Sequence, residues 1–353
     1  MGFLHNALKR IRKAESAGHA SEKGKVTAVD VGQSHLLVVS VEENGGRLKL
    51  SNFRLETRPK SPEAISESLK TIFAEERLEP KEVRASLKTS GMVVRILTFP
   101  QMKRSELASM LQYEVEKYIP FKSSDVIIDF DVLEENIDRG ESKAMEMILV
   151  AVKRSEVYDL QKIFQNVGIQ INSIGIGSAA FANLIGYLLP ETLSATIGFL
   201  DMGTETSSFG IAIRGKPVFV RDISFGGADI LKIAQRKLGL APEKILAGID
   251  DASKVPTEYT RVAEQAVGNL LNELKLSLGY YMDHVKEAQP IETLFVAGGG
   301  FRMIPDLRLV EDQIKIPVRR PQLASKMDIA SQVNTDLIKQ NEDLLPPVLG
   351  LCL

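Results

Sequence analysis

Cysteine and histidine, which build most disulfide frameworks and zinc sites, are scarce in this sequence. Among its 353 residues there are one cysteine, Cys352, and four histidines, none of them at the spacing of a metal-binding pair. A single cysteine cannot form an intramolecular disulfide, and this usage is typical of proteins from a reducing compartment. The composition therefore argues against a histidine-based zinc site and against a disulfide-stabilised secreted domain.

Several motifs of membrane proteins and enzymes are missing as well. No apolar run approaches the ~20 residues that span a bilayer, and the N-terminus has no signal-peptide core. There is neither a Walker-type Gly-x-x-x-x-Gly-Lys-Ser/Thr loop nor a Gly-x-Ser-x-Gly elbow, which argues against P-loop and α/β-hydrolase chemistry. The net charge of −2 provides no basic field for nucleic acid. We therefore expect a cytoplasmic protein without a nucleic-acid partner.

The first 24 residues differ in composition from the rest of the chain and predict a basic amphipathic tail. In a helix over residues 1–13, apolar and basic side chains would lie on opposite faces, the apolar ones being Phe3, Leu4, Ala7, Leu8 and Ile11 and the basic ones Lys9, Arg10, Arg12 and Lys13. Such a helix can bind an anionic membrane surface. A solvated tail is the alternative, because so short a helix is marginal by itself.

Each half of the chain contains an Asp-x-Gly tripeptide at the end of a short apolar run, in AVDVGQSHL (residues 28–36) and FLDMGTETS (residues 199–207). Each follows an apolar strand and precedes a second strand, so the pattern predicts a duplicated strand–turn–strand. We call residues 30–34 the first turn and residues 201–206 the second turn. A third turn, residues 298–300, consists of three glycines after the apolar strand TLFVA. The chain length is consistent with two domains, one for each copy.

Other segments predict the elements around these turns. After the first turn, HLLVVSVEE and RLKLSNFRLET continue the first strand as a meander, because Asn44-Gly45-Gly46 between them is a hairpin turn. Residues 103–118 have helical spacing and are followed by Pro120, which would end the helix. The segment IQINSIGIG, residues 169–177, predicts a further strand.

The three turns together would suit a nucleotide held between two domains. Backbone N–H groups of tight turns can bind phosphate oxygens, and glycine lets the main chain approach a ligand closely. Asp30 and Asp201 could hold Mg²⁺ through water molecules, because hard cations prefer oxygen ligands. An ordinary structural turn is the alternative for each motif taken alone.

The order of these motifs resembles the actin-like ATPase superfamily, with two phosphate turns, a Gly-Gly connector at residues 226–227 and an adenosine turn, here GGGFRMIP. More particularly, residues 25–353 resemble the type IV pilus assembly protein PilM family. The most specific resemblance is in YEVEKYIPFKSSDVIIDFDVL (residues 113–133) and LNELKLSLGYY (residues 271–281).

This resemblance implies an α/β, actin-like (ribonuclease H-like, FtsA-like) fold of two domains. Domain I would comprise residues 25–91 and 166–195, completed by 340–353, with a small α/β partner-binding subdomain inserted at 92–165. Domain II would comprise residues 196–339. The nucleotide-binding residues that the resemblance implies, if they are retained, are Asp30, Gly32, Gln33, Ser34, Asp201, Gly203, Thr204, Glu205, Thr206, Gly226, Gly227, Ser277, Gly298, Gly299 and Gly300.

The resemblance also implies a partner. The protein would be cytoplasmic and peripheral to the inner membrane, bind the N-terminal cytoplasmic peptide of a PilN-type membrane protein, and connect it to motor or platform proteins of pilus assembly. The implied peptide contacts are Tyr113, Glu114, Tyr118, Pro120 and Phe121. Packing within the inserted subdomain is the alternative role for each.

The sequence departs from the superfamily where charge would meet the nucleotide. Leu37 stands where a lysine commonly reaches the phosphates. Where the superfamily usually has an acidic residue and a lysine that contact the ribose, this sequence has the uncharged residues Leu246, Ala247 and Gly248. Near the start of the helix after IQINSIGIG, where an Asp or Glu is common, it has Gly175, Gly177 and Ser178. Charge-assisted contacts to phosphate are the strong ones, and water activation needs a positioned base. We therefore expect weak or no nucleotide binding and little or no ATPase activity, with ATP and Mg²⁺ or no cofactor equally open.

Four functional hypotheses remain. The leading one is a non-catalytic scaffold of a type IV pilus or related secretion machine. The alternatives are a Mg-ATP-dependent switch of the same family, the cytoplasmic domain of a GspL-like secretion protein, and a sugar-kinase-like enzyme. No convincing substrate-base aspartate stands where the two halves would meet, which argues against the kinase.

The apolar end LLPPVLGLCL leaves open whether the natural chain continues.

Overall fold

The computed structural model describes residues 24–78, 82–89, 91–140, 142–250, 257–285 and 287–353, and the amphipathic segment predicted at residues 1–13 lies outside them. The strands are β1 Val26–Val31, β2 His35–Asn44, β3 Arg47–Thr57, β4 Val83–Ser86, β5 Met92–Pro100, β6 Val126–Asp138, β7 Lys143–Lys153, β8 Ser173–Gly175, β9 Thr196–Met202, β10 Ser207–Ile213, β11 Lys216–Ile223, β12 Thr293–Ala297, β13 Val318–Arg319 and β14 Asp328–Ile329. The helices are α1 Pro62–Glu75, α2 Arg104–Glu114, α3 Arg154–Gln165, α4 Gly177–Leu188, α5 Gly227–Leu238, α6 Pro242–Asp250, α7 Thr257–His284, α8 Arg308–Ile314, α9 Thr335–Gln340 and α10 Leu345–Leu351.

Two compact units divide these elements. The first unit contains the chain up to Asn183, together with Met327–Asn334 and Val348–Leu353. Its main sheet has six strands in the order β14-β3-β2-β1-β4-β8. The predicted meander is present as β1, β2 and β3, which pair antiparallel, while β4 and β8 run parallel to β1. Consecutive residues of β1 and β2 are buried, as expected where a strand is covered on both faces.

The first unit also contains a smaller antiparallel sheet in the order β5-β7-β6. Leu107 and Leu111 of α2 pack on this sheet, together with Val115 and Ile119, which follow at the same four-residue spacing. The helix predicted over residues 103–118 ends earlier, at Glu114, and a single 3₁₀ turn follows. The tighter turn still places Val115 in the core, so the apolar spacing continues beyond the end of the α-helix.

Residues 348–353 complete the first unit. At Gly350 of α10 the backbone approaches α4 so closely that an added Cβ atom would lie 1.9 Å from the carbonyl oxygen of Ala180. The buried guanidinium of Arg84 donates from Nη1 to the carbonyl oxygen of Leu351 at 2.5 Å and from Nε to Glu82 at 3.0 Å. The end of α10 is therefore attached to α4 by backbone contact and to the main sheet by a charge-assisted hydrogen bond.

The second unit contains Leu184–Lys326 and Thr335–Pro347. Its sheet has the order β11-β10-β9-β12-β13, with two antiparallel hairpins followed by parallel pairings. The duplicated strand–turn–strand is thus present once in each unit. The long helix α7 packs its apolar face on this unit's core, where Tyr259 and Tyr281 are fully buried. Burial raises the pKa of Tyr259, whose hydroxyl donates to the carbonyl oxygen of Met303 at 2.7 Å.

Among the described residues, no helix combines the length and apolar composition needed to span a bilayer.

We predict that Gly350→Ala destabilises the first unit by about 2–3 kcal/mol, because the new methyl group overlaps the Ala180 carbonyl and the backbone must move. Gly268→Ala on α7 is the matched control, since a Cβ atom there meets nothing within 4 Å and alanine favours a helix by up to about 1 kcal/mol. Differential scanning calorimetry of both variants measures the effect. Equal melting of the two variants would contradict the close contact.

Candidate functional site

The first turn joins β1 to β2 and is built around the carboxylate of Asp30. Antiparallel register places Asp30 opposite Leu37, and parallel register places it beside Ser86 of β4. Both carboxylate oxygens have partners: Oδ1 accepts from the Ser86 hydroxyl, and Oδ2 lies 2.9 Å from Nε2 of His35. The side chains of Asp30 and His35 are 16% and 21% exposed, so the pair is largely enclosed.

The imidazole of His35 lies against the glycine of the first turn. A Cβ atom added at Gly32 would lie 3.0 Å from both Cε1 and Nε2 of this ring. On the other side of the ring, Nδ1 is 3.4 Å from the Ser34 hydroxyl. The space that glycine leaves open in this turn is therefore filled by the protein's own side chain. Leu37 is fully buried and brings no charge to the turn.

The pKa of Asp30 reflects these neighbours. Burial raises the pKa, but the hydrogen bond and charge of His35, the hydrogen bond of Ser86 and the charge of Lys88 together bring it below its ordinary value. Asp30 is therefore an ionised carboxylate at neutral pH. Because its pKa is lower in the folded state, its contribution to stability is present above the unfolded pKa and is lost as the pH falls through the folded one.

The second turn meets the start of α5 through main-chain hydrogen bonds. The N–H of Gly227 donates to the carbonyl of Gly203 at 2.9 Å, and that of Ala228 to the carbonyl of Thr204 at 2.8 Å. The N–H of Gly226 bonds to the Asp229 side chain at 3.0 Å. These N–H groups at the start of a helix are the ones that commonly bind phosphate, and here all three have protein partners.

Glycine is required in the connector because the backbones touch. A Cβ atom on Gly226 would lie 2.4 Å from the carbonyl oxygen of Thr204, and one on Gly227 would lie 3.0 Å from Cα of Gly300. Both distances are shorter than ordinary van der Waals contacts of a methyl group. Packing alone therefore accounts for the Gly-Gly pair.

The third turn packs on the second one in the same way. Gly298 has a φ of +94°, and a Cβ atom there would lie 2.3 Å from the carbonyl oxygen of Met202 and 2.4 Å from Oδ1 of Asp201. A Cβ atom on Gly300 would lie 2.7 Å from the carbonyl oxygen of Gly203. Asp201 is buried at 4% exposure beside this glycine. The N–H of Gly298 donates to the carbonyl of Asp343 at 2.7 Å.

The structure gathers the candidate nucleotide residues into two groups, one in each unit. Asp30, Gly32, Gln33 and Ser34 form the first turn. In the second unit the following residues lie together: Asp201, Gly203, Thr204, Glu205, Thr206, Gly226, Gly227, Gly298, Gly299 and Gly300. Ser277 is buried on α7, where its hydroxyl accepts from Arg221 at 3.0 Å and donates to the carbonyl of Glu273 at 2.7 Å.

Sequence reasoning missed His35 and Ser86. His35 could have been found, because side chains two residues apart in a strand share a face and His35 shares the face of Leu37, which pairs with Asp30. Ser86 could not have been found in this way, because its contact with Asp30 depends on the pairing of β1 with β4, which no local sequence pattern reveals.

Mg-nucleotide fits these residues poorly at the first turn. The imidazole occupies the glycine's open side, both oxygens of Asp30 already have partners, and the phosphate-contacting lysine is replaced by buried Leu37. In the second unit, Asp201 is buried beside Gly298 of the third turn. Within the described residues, no group of three or more His, Cys, Asp or Glu side chains is arranged to hold a metal ion.

The five candidate peptide contacts lie at the end of α2 and just after it. Tyr113 is 85% exposed, and Glu114 forms an ion pair with Lys117 at 3.0 Å. Tyr118 packs edge-on against Phe99 with ring centroids 5.5 Å apart. Pro120 is exposed, and the partly buried Phe121 ring has Nζ of Lys153 5.3 Å from its centroid.

Tyr113 therefore differs from the other aromatic residues of this segment. Tyr118 and Phe121 are packed against the core of the small sheet, so their burial explains them without a partner. A tyrosine at 85% exposure contributes little to that core. At the start of α2, the Arg104 guanidinium lies 4.8 Å from the centroid of the Phe130 ring of edge strand β6 and donates to the Asp131 carboxylate at 2.9 Å.

We predict that Gly298→Ala, measured without nucleotide, lowers the free energy of unfolding of the second unit by more than about 3 kcal/mol, because the backbone is left-handed and the methyl group overlaps Met202 and Asp201. Gly299→Ala is the matched control, since its Cβ atom meets only the flexible end of Leu344 at 3.1 Å, and it should cost less than about 1 kcal/mol. Chemical denaturation compares the two. If both are as stable as wild type, Gly298 serves a ligand and not the fold.

Among known protein families, the model for the type IV pilus assembly protein PilM matches residues 28–353 of this chain. The chain is similar to the structure of a PilM-PilN type IV pilus biogenesis complex, at 20% sequence identity, with 93% of this chain and 97% of that chain covered and a TM-score of 0.74.

Two further structures show the fold. Ethanolamine utilization protein EutJ from Carboxydothermus hydrogenoformans is 11% identical, with 99% of this chain and 96% of that chain covered and a TM-score of 0.53. MreB 5 of Spiroplasma citri bound to AMPPNP is 12% identical, with 94% and 95% covered and a TM-score of 0.50. These similarities confirm the predicted actin-like α/β fold. Since the family model covers nearly the whole chain, the chain belongs to the type IV pilus assembly protein PilM family.

Proposed function

We propose that this chain is an actin-fold scaffold of type IV pilus assembly that binds the N-terminal cytoplasmic peptide of a PilN-type inner-membrane protein. Family membership supports the pilus role, and the similar structure is that of a PilM-PilN complex. Family membership also favours this function over the GspL-like and sugar-kinase-like alternatives. In this proposal the protein works at the cytoplasmic side of the inner membrane and connects the partner to motor or platform proteins.

The observation that carries the peptide-binding proposal is the exposure of Tyr113. The segment after it is the part of the chain that most specifically resembles the family, and its apolar residues are used in packing. Tyr113 alone presents a large aromatic ring to solvent there. Exposed tyrosine is enriched among residues that dominate the energy of protein interfaces. The inserted subdomain, residues 92–165, is accordingly the proposed partner-binding part.

We further propose that nucleotide binding is weak or lost and that the scaffold needs no hydrolysis. The first turn supports this, because Leu37 and His35 stand where a charged and open site would be needed. The glycines of the connector, together with Gly298 and Gly300 of the third turn, do not argue for a ligand, because main-chain packing requires them. A Mg-ATP-dependent switch of the same family remains the second candidate, and its support is that Asp201 lies beside Gly298 of the third turn, both of which such a switch would use.

For the partner, we predict that a peptide from the cytoplasmic N-terminus of the PilN-type protein encoded with this chain binds, and that Tyr113→Ala weakens binding by about tenfold or more. Tyr280→Ala is the matched control, because Tyr280 is also exposed, at 54%, and lies on α7 of the second unit, outside the inserted subdomain. Fluorescence anisotropy with labelled peptide measures both. Equal affinity of the two variants would remove Tyr113 from the interface, and absence of peptide binding by the wild type would refute the partner proposal.

For the nucleotide, we predict that calorimetric titration of the full chain with Mg-ATP gives a dissociation constant weaker than roughly 0.1 mM, a binding free energy smaller in magnitude than about 5.5 kcal/mol. The isosteric variant Asp201→Asn provides the control for site-specific binding. Micromolar binding by the wild type that this variant loses would establish the switch in place of the inert scaffold.

A further inference from the structure

The first turn holds a histidine that its family resemblance does not explain. His35 follows the glycine of this turn by three residues, and its ring folds back over that glycine. A Cβ atom at Gly32 would lie 3.0 Å from the ring, so the ring fills the space that the absence of a side chain leaves on this face of the turn. In a nucleotide-binding turn this face is left open for the ligand.

The same ring also holds the carboxylate that would organise Mg²⁺. Nε2 of His35 lies 2.9 Å from Oδ2 of Asp30, and the Ser86 hydroxyl donates to the other oxygen. A hydrogen bond to an ionised carboxylate is stronger than one between neutral groups. Removing the ring from Asp30 therefore has an energetic cost that any incoming Mg-nucleotide must offset.

The arrangement can nevertheless open. The His35 side chain is 21% exposed, and its other nitrogen makes only a long contact of 3.4 Å with the Ser34 hydroxyl. One strong bond, to Asp30, is what holds it over the turn. Rotation about the side-chain bonds would take the ring into solvent without a change in the register of β1 and β2, since their pairing begins at Val31 and Leu36.

We propose that His35 is an internal plug, a side chain that keeps the first turn closed to the phosphates of a Mg-bound nucleoside di- or triphosphate. The proposal deepens the proposed function, on which it rests in treating this turn as an altered nucleotide site. It separates two causes of weak binding. Leu37 withholds a charge and so lowers affinity, whereas His35 fills the space and competes directly with the ligand.

The test is a calorimetric comparison of the full-length wild type, His35→Ser and the control His284→Ser, each titrated with Mg-ADP and with Mg-ATP. His284 is an exposed histidine on α7 that stacks on Tyr280, so its removal changes histidine content without touching the first turn. Serine at position 35 opens the space over Gly32 and leaves Asp30 with one partner fewer. We expect His35→Ser to bind at least about tenfold more tightly than wild type, the factor that one hydrogen bond to a charged group commonly contributes. His284→Ser should match wild type.

Two outcomes overturn the plug. If His35→Ser binds no better than wild type, including when neither binds detectably, the ring is not what limits binding. If His35→Ser binds more weakly, His35 contacts the phosphates itself. Thermal unfolding verifies that each variant folds, and His35→Asn, with a shorter polar side chain, asks the same question should the serine variant unfold.

NMR spectroscopy provides a second test, which observes the His35 ring itself as well as the affinity. In the nitrogen-resolved NMR spectrum of the histidine rings, the His35 signal of the wild type should shift when excess Mg-ADP displaces it from Asp30, while the His284 signal stays in place. A shift at the Gly32 amide without one at the His35 ring would contradict displacement. Peptide binding, measured on the same variants, should be unchanged, so a failure of the partner proposal would be visible separately.

Discussion

Direct contact between main chains around the second turn is the constraint on which the second unit depends. The turn accepts hydrogen bonds from the start of α5 through Gly203 and Thr204, and the connector and third turn lie so close that side chains cannot fit between them. Each of these segments is a loop at the end of an apolar strand or the start of a helix. Because three loops converge on one another, a side chain at Gly226, Gly298 or Gly300 would displace the backbone of a neighbouring loop.

This constraint changes how the glycine signature should be interpreted. In the sequence, the glycines of the connector and the third turn indicate a nucleotide, since they permit a ligand to approach the backbone. In the structure, the atoms that approach are carbonyl oxygens of Met202, Gly203 and Thr204. Selection for folding alone would keep these glycines after a ligand had been lost. The residues that distinguish binding from its loss are the ones that packing does not require, namely the charged side chains.

The sequence predicted the strands, the duplicated turns and the actin-like fold, because these depend on apolar runs, glycine placement and motif order. The sequence overestimates the length of strand β8: it predicts nine extended residues, but only Ser173–Gly175 pair with β4. It also places the end of α2 too late, because the apolar spacing continues past Glu114 into a 3₁₀ turn. At the first turn, Asp30 was identified, but its partners His35 and Ser86 were not, since the first depends on a side-chain rotamer and the second on pairing between distant strands.

The contact between Gly350 and Ala180 means that the first unit needs residues synthesised after the second unit to complete its core. Its core is completed by residues 348–353, yet the whole of the second unit lies in the sequence between Asn183 and those residues. During translation the second unit can close its sheet while the main sheet of the first still lacks α10. Until α10 docks on α4, Arg84 has no carbonyl of Leu351 to bind. The unit whose main strands are synthesised first is therefore the one whose core is completed last.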